Sequence, residues 1–204
     1  MFNERLAKLE QQTGSTKDMI YVAWCFIHGE ETMQDTNTGY QWLIRAAELG
    51  DAEAHIRLAD YFEAGFFGQE DCEKAAYWIS KAKLIDSFYG HYAFAMAHQF
   101  GTACFLKNEF VAVQAYESAA SYGHIISMAQ LAKYYRSGKY GLRKTIVGYF
   151  LLAKILVFSL RAILRREMHD AFWGHEQWLP NNTLIKRLSS GTHFGQTNLR
   201  QRDQ

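Results

Sequence analysis

Large apolar and polar positions follow one another along this chain in a figure that repeats. Val22-Ala23-Trp24-Cys25-Phe26-Ile27-His28-Gly29 is the first occurrence, and Leu58-Ala59-Asp60-Tyr61-Phe62-Glu63-Ala64-Gly65 the second. Phe94-Ala95-Met96-Ala97-His98-Gln99-Phe100-Gly101 and Leu131-Ala132-Lys133-Tyr134-Tyr135-Arg136-Ser137-Gly138 follow. The closing glycines are 36, 36 and 37 residues apart; each has an alanine six positions earlier and a large apolar residue seven earlier. A fixed period in this range predicts stacked helical hairpins rather than one compact core.

Each first helix is predicted to end at its glycine, which tolerates the left-handed backbone that closes helices. Asp35, Asp71 and Asn108 then offer short acceptors for the free amides of a second helix. The fourth repeat has no such residue and shortens its loop to Lys139-Tyr140-Gly141-Leu142. The second helices align as Trp42 to Ala47, Trp78 to Lys83, Ala115 to Ala120 and, loosely, Tyr149 to Lys154. Turns follow at Gly50-Asp51, Asp86-Ser87 and Gly123-His124. No hairpin of this kind can bury its apolar face alone, so each needs its neighbours.

The ends are less regular. Residues 1–16 read as a helical or frayed lead-in, with Leu6 and Leu9 facing the first hairpin and Thr13-Gly14-Ser15-Thr16 opening it. Residues 17–160 divide into repeats at about 17–50, 51–86, 87–123 and 124–160. The run from Ile146 to Leu160 is almost wholly apolar. Its phase makes it the second helix of repeat four, and Lys154 and Arg161 disfavour a membrane span. Such a helix needs a cover. One candidate is Arg166 to Trp178, through Met168, Phe172, Trp173 and Trp178; the other is a second copy, giving a homodimer. Residues 161–188 are therefore read as a C-terminal cap and extension, and 189–204 as a disordered tail.

The form Ala-x3-Leu-Ala/Gly-x2-Tyr/Phe-x2-Gly, the polar cap and the Ala-x2-Trp-x3-Ala-Ala second helix together resemble the Sel-one-like repeat, a cousin of the tetratricopeptide repeat. Repeat two is the cleanest copy, with Ala54, Leu58, Ala59, Phe62, Gly65, Gly68, Asp71, Ala75, Trp78 and Ala82 in place. Repeats one and three lack the Gly-x-Gly-Val loop signature, and repeats three and four lack the tryptophan. The resemblance implies an all-α, right-handed α-α solenoid that recognises proteins. Some cysteine-rich members bind β-lactam-like ligands, but their paired cysteines are missing here.

Charge adds an asymmetry. Residues 1–142 carry 12 basic and 17 acidic side chains, a net of −5, while 143–204 carry 10 and 4, a net of +6. That balance excludes a strongly basic nucleic-acid binder. Without an apolar N-terminal run or a close cysteine pair, Cys25, Cys72 and Cys104 are expected as reduced thiols in a cytoplasmic protein.

The sequence offers little chemistry. His169 and His175 are six apart and fall on different helix faces, and no zinc pattern or phosphate loop occurs, so neither metal nor cofactor is expected. His55, His91 and His98 lie among apolar neighbours without an evident acid/base partner. The positions that vary inside the fixed repeat are more informative. Counting back from each glycine, positions eight, five and one share a helix face: Tyr21, Trp24 and His28; Arg57 and Asp60; Met96 and Phe100; Gln130 and Lys133. First helices are expected to line the concave side, making this stripe a candidate groove for an unidentified protein or peptide. Burial of Trp24 and Met96 between repeats is the competing reading. The function expected is non-catalytic binding, as a bacterial adaptor, regulator or toxin-neutralising immunity protein. The rivals are a hydrolase using groove histidines and a peripheral membrane adaptor using Arg161, Arg165, Arg166, Lys186 and Arg187.

Overall fold

A computed structural model describes residues 1–85 and 87–164, and for residues 162–164 the backbone alone. Every regular element in it is helical: α1 (Phe2–Glu10), α2 (Thr16–His28), α3 (Thr36–Glu48), α4 (Ala52–Glu63), α5 (Cys72–Leu84), α6 (Phe88–Phe100), α7 (Glu109–Ser121), α8 (Ile125–Arg136) and α9 (Gly141–Leu164). Pairs α2/α3, α4/α5, α6/α7 and α8/α9 are hairpins. Each second helix among α3, α5 and α7 also packs on the first helix that follows it. The chain is an all-α solenoid in which contacts stay between neighbours.

Local chemistry fixes the helix ends as the sequence implies. Asp35 accepts from the amides of Asn37 at 3.1 Å and Thr38 at 3.0 Å, Asp71 from Lys74 at 2.9 Å, and Asn108 from Phe110 and Val111 at 3.1 Å each. Gly29, Gly65, Gly101 and Gly138 all adopt left-handed backbone, at φ 72°, 72°, 75° and 80°. Ser15 and Asp18 form a reciprocal capping box at the start of α2.

Close backbone approach is set by the small residues. A Cβ added at Gly90 would lie 1.9 Å from the Ala82 carbonyl oxygen, so α6 sits almost in contact with the α5 backbone. Gly39 is likewise pressed on Ile27 and the Ala23 carbonyl, and Ala46, Ala75, Ala82, Ala112 and Ala119 are all fully buried. One apolar core runs from α1 into α5 and ends at the loop after α6; a second joins α6, α7 and α8. Helix α6 divides them, with Ala97 facing the first and Ala95 and Met96 the second. The lead-in is a packed helix: Phe2 and Leu9 are buried, and the Phe2 ring meets Phe26 edge-on at 5.3 Å.

The thiols depart from expectation. Cys72, at the first turn of α5, is joined to Cys104, in the loop after α6, with their Cα atoms 5.3 Å apart; Cys25 is free and buried. The link joins the second repeat to the third. Sequence spacing hid it because 32 residues separate the partners, and because Ala103 and Cys104 take left-handed backbone at φ 48° and 57° to present the sulfur. Residues 161–164 of the assigned cap continue α9; the rest of the cap and the tail, with His169, His175, Arg165, Arg166, Lys186 and Arg187, lie outside the described residues. Among those described, no helix is long and apolar enough to cross a membrane.

Candidate interaction face

Helices α2, α4, α6 and α8 bring the varying positions of the repeat onto successive parallel rows. Their side chains do not all end in the same environment. Tyr21 is buried and its hydroxyl donates to Glu31, while Arg5 lies 4.5 Å above its ring. Met96 is buried as well, its sulfur receiving the Tyr116 hydroxyl at 3.1 Å. These two are core residues: Tyr21 is closed off by Arg5 of α1 and Glu31 of the loop after α2, and Met96 by Tyr116 of α7 in its own hairpin. Trp24, His28, Arg57, Asp60 and Gln130 are half-buried, and Phe100 and Lys133 are exposed.

Repeats one and two gather these groups most closely. The His28 ring lies 5.1 Å from Trp24, 5.8 Å from Tyr61 and 5.4 Å from Phe66, linking α2 to α4 and the loop beyond it. Tyr61 and Phe66 meet edge-on at 5.1 Å. Phe66 is partly open to solvent, while the Trp24 indole N–H is buried and has no hydrogen-bond acceptor. His28 is turned inward by its Nδ1 contact with the Trp24 carbonyl at 3.0 Å.

Beside this aromatic group stands a carboxyl of unusual character. Burial pushes Asp60 up to about 7; Glu63 adds to the rise and Arg57 opposes it. The Arg57 guanidinium is engaged with Glu53 at 3.2 Å, one turn back on the same helix. Asp60 makes no hydrogen bond or ion pair with any described residue. The face thus combines aromatic rings, an orphaned indole donor and an unpartnered carboxyl. Phe66 and Tyr61 were not legible as part of it; the paired phenylalanines between Gly65 and Gly68 were the available signal.

The histidines read as possible bases are held otherwise. His55 is buried with Nδ1 at 2.8 Å from the Asp51 carbonyl and its ring against Trp78. His98 contacts the Leu106 carbonyl at 3.1 Å and packs between Phe94 and Phe105. His91 stacks on Tyr122. Among the described residues, no three His, Cys, Asp or Glu side chains are grouped to hold a metal ion.

Comparison with known proteins agrees with this architecture. Residues 16–51 and 52–84 each match the Sel1 repeat. In structure, the chain is similar to a Sel1 repeat protein from Oxalobacter formigenes: TM-score 0.61 and 20% identity, over 75% of this chain and 62% of that one. It is also similar to c5321, a protective antigen of uropathogenic Escherichia coli strains with the same type of repeat fold. There the TM-score is 0.60 and the identity 22%, over 72% of this chain and 31% of that one. This chain therefore spans less than two thirds of the length of either. No curated protein matches the sequence.

Proposed function

We propose that this chain, whose first two hairpins are Sel1 repeats, is a non-catalytic interaction module that holds a partner protein or peptide on the face of its first helices. Sel1-repeat folds generally serve as protein–protein interaction scaffolds, and the family is typically non-catalytic. The observation that carries the reading to a particular face is the Asp60 carboxyl, unpartnered beside the Trp24–His28–Tyr61–Phe66 cluster. The Asp60 carboxyl makes no hydrogen bond that would occupy it against an incoming donor, and aromatic groups of this kind anchor interfaces. Phe100, Gln130 and Lys133 extend the face along α6 and α8. Tyr21, Met96 and Arg57 support it from behind or within the helix rows.

The net of −5 over residues 1–142 favours a basic partner through steering and complementarity. An adaptor, regulator or toxin-neutralising immunity protein of a bacterium fits that form, and both structural relatives are bacterial. The Cys72–Cys104 link favours an oxidising compartment over the cytoplasm.

The test is capture from native extract by the full chain and by a Phe66→Ser/Phe100→Ser/Lys133→Glu variant. Phe100 and Lys133 are open to solvent, while Phe66, 36% exposed, keeps part of its ring against His28 and Tyr61. Binding is therefore compared only after the variant's helicity is shown to match wild type and its melting midpoint to lie above the assay temperature. A partner kept by wild type and lost by the variant supports this face. A partner held equally by both, or by neither, removes it.

A further inference from the structure

The first row of the face shows how this fold holds a cation. Arg5 of α1 lays its guanidinium 4.5 Å from the centre of the Tyr21 ring and pairs with Asp18 at 3.1 Å, so one arginine is gripped by a ring and a carboxylate of α2. One turn further along α2 comes Trp24, its ring 6.3 Å from that of Tyr21. Trp24 and Asp60 take the same place in the first and second repeats, five residues before the closing glycine. In a stack of repeats that places them side by side on neighbouring first helices.

They are again a ring and a carboxyl, and both are partly open to solvent. No described cation lies over the Trp24 ring, and none is ion-paired with Asp60. Arg57, three residues before Asp60, acts on it only at a distance, because its guanidinium is engaged by Glu53 at 3.2 Å. Charge gathers here too. Residues 51–86, the repeat that carries Asp60, hold 4 basic and 8 acidic side chains, a net of −4. Most of the acidity of the repeat body therefore surrounds this carboxyl and steers cations toward it.

We propose that the partner held on this face presents an arginine, its guanidinium stacked on Trp24 and paired with Asp60, as Arg5 is held by Tyr21 and Asp18. This rests on the binding role proposed above and names the chemistry that the partner must carry. Arginine suits the pair better than lysine. A flat guanidinium can lie on a ring and turn an edge of two N–H donors to a carboxylate, whereas an ammonium is a point charge. Its arrival also favours the ionised form of a carboxyl that burial otherwise keeps protonated. Phe66, joined to the same cluster through His28, offers an apolar contact to residues beside the arginine.

The experiment selects a displayed library of random peptides on the full chain with its disulfide intact. Selected peptides should be enriched several-fold in arginine over the input library. A synthetic copy of the tightest should lose about tenfold in affinity when its arginine becomes citrulline, which keeps the shape and drops the charge. Asp60→Asn should weaken the arginine peptide by about the same factor and erase its advantage over the citrulline form. The exchange removes charge and no volume, so a loss of binding with an unlowered melting midpoint reads the site and not the fold. Binders without arginine enrichment that the Phe66→Ser/Phe100→Ser/Lys133→Glu variant loses would overturn the arginine and leave the face standing. Enrichment in lysine alone, or an Asp60→Asn variant that binds the arginine peptide as tightly as wild type, would overturn it as well. Binders retained by the triple variant, or no binder at all, would remove the face and the arginine together.

Discussion

At the residue scale, two ionisable groups should shape stability in opposite directions. His124 caps α8, stacks on Phe88 at 4.9 Å and contacts the Ser127 hydroxyl at 2.7 Å; burial lowers it from 6.5 to about 4. The unfolded chain therefore takes up a proton there before the folded one does, and stability falls as pH drops from 6.5 to 4. The loss should reach roughly 2–3 kcal/mol. Urea midpoints across that window should fall less for His124→Gln than for wild type. Asp60 works the other way. Its folded carboxyl titrates near 7, above the unfolded 3.8, so the folded state keeps a proton that the unfolded state has lost and stability declines as pH rises between them. Asp60→Asn should be more stable than wild type by roughly 1–3 kcal/mol at pH 8, and equal to it below about pH 4. An Asp60→Asn variant no more stable at pH 8 would mean that the carboxyl is well solvated.

At the element scale, the α5–α6 crossing depends on one missing methyl group. Gly90→Ala would drive a Cβ into the Ala82 carbonyl, which is backbone and cannot yield without the helix moving. The expected cost is about 3 kcal/mol, read as a lowered thermal midpoint, with Gly123→Ala as a control that meets no neighbour but carries left-handed strain. Elements were the most legible part of this protein. A 36-residue period and its caps are local signals, and Asp35, Asp71, Asn108 and the four left-handed glycines act where the sequence puts them. The face was harder to read. Tyr21 is closed off by Arg5 of the lead-in helix and by Glu31 of the loop after α2, contacts between segments that the repeat pattern does not encode. Helical periodicity narrows the face to a stripe and cannot separate its buried edge from its open one. Met96 falls on the buried side because Tyr116 of α7 closes over it.

At the scale of the whole molecule, stability is distributed over neighbour contacts, with the Cys72–Cys104 link added in the middle. Closing a loop of this length should stabilise the chain by roughly 3 kcal/mol. Reduction, or Cys72→Ser, should lower the denaturation midpoint accordingly; an unchanged midpoint would mean that the unfolded chain is already compact between these residues. The link also alters how such a stack comes apart. A linear array frays from its ends inward, each repeat loosening once its neighbour has gone. Here α5 and α6 belong to a closed covalent ring, so fraying from either end meets a clasp in the middle that peels no further without breaking a bond. A protease that nicks the turn between α5 and α6 would leave the chain at full length on a gel run without reductant. The same sample would fall into two pieces once thiol is added.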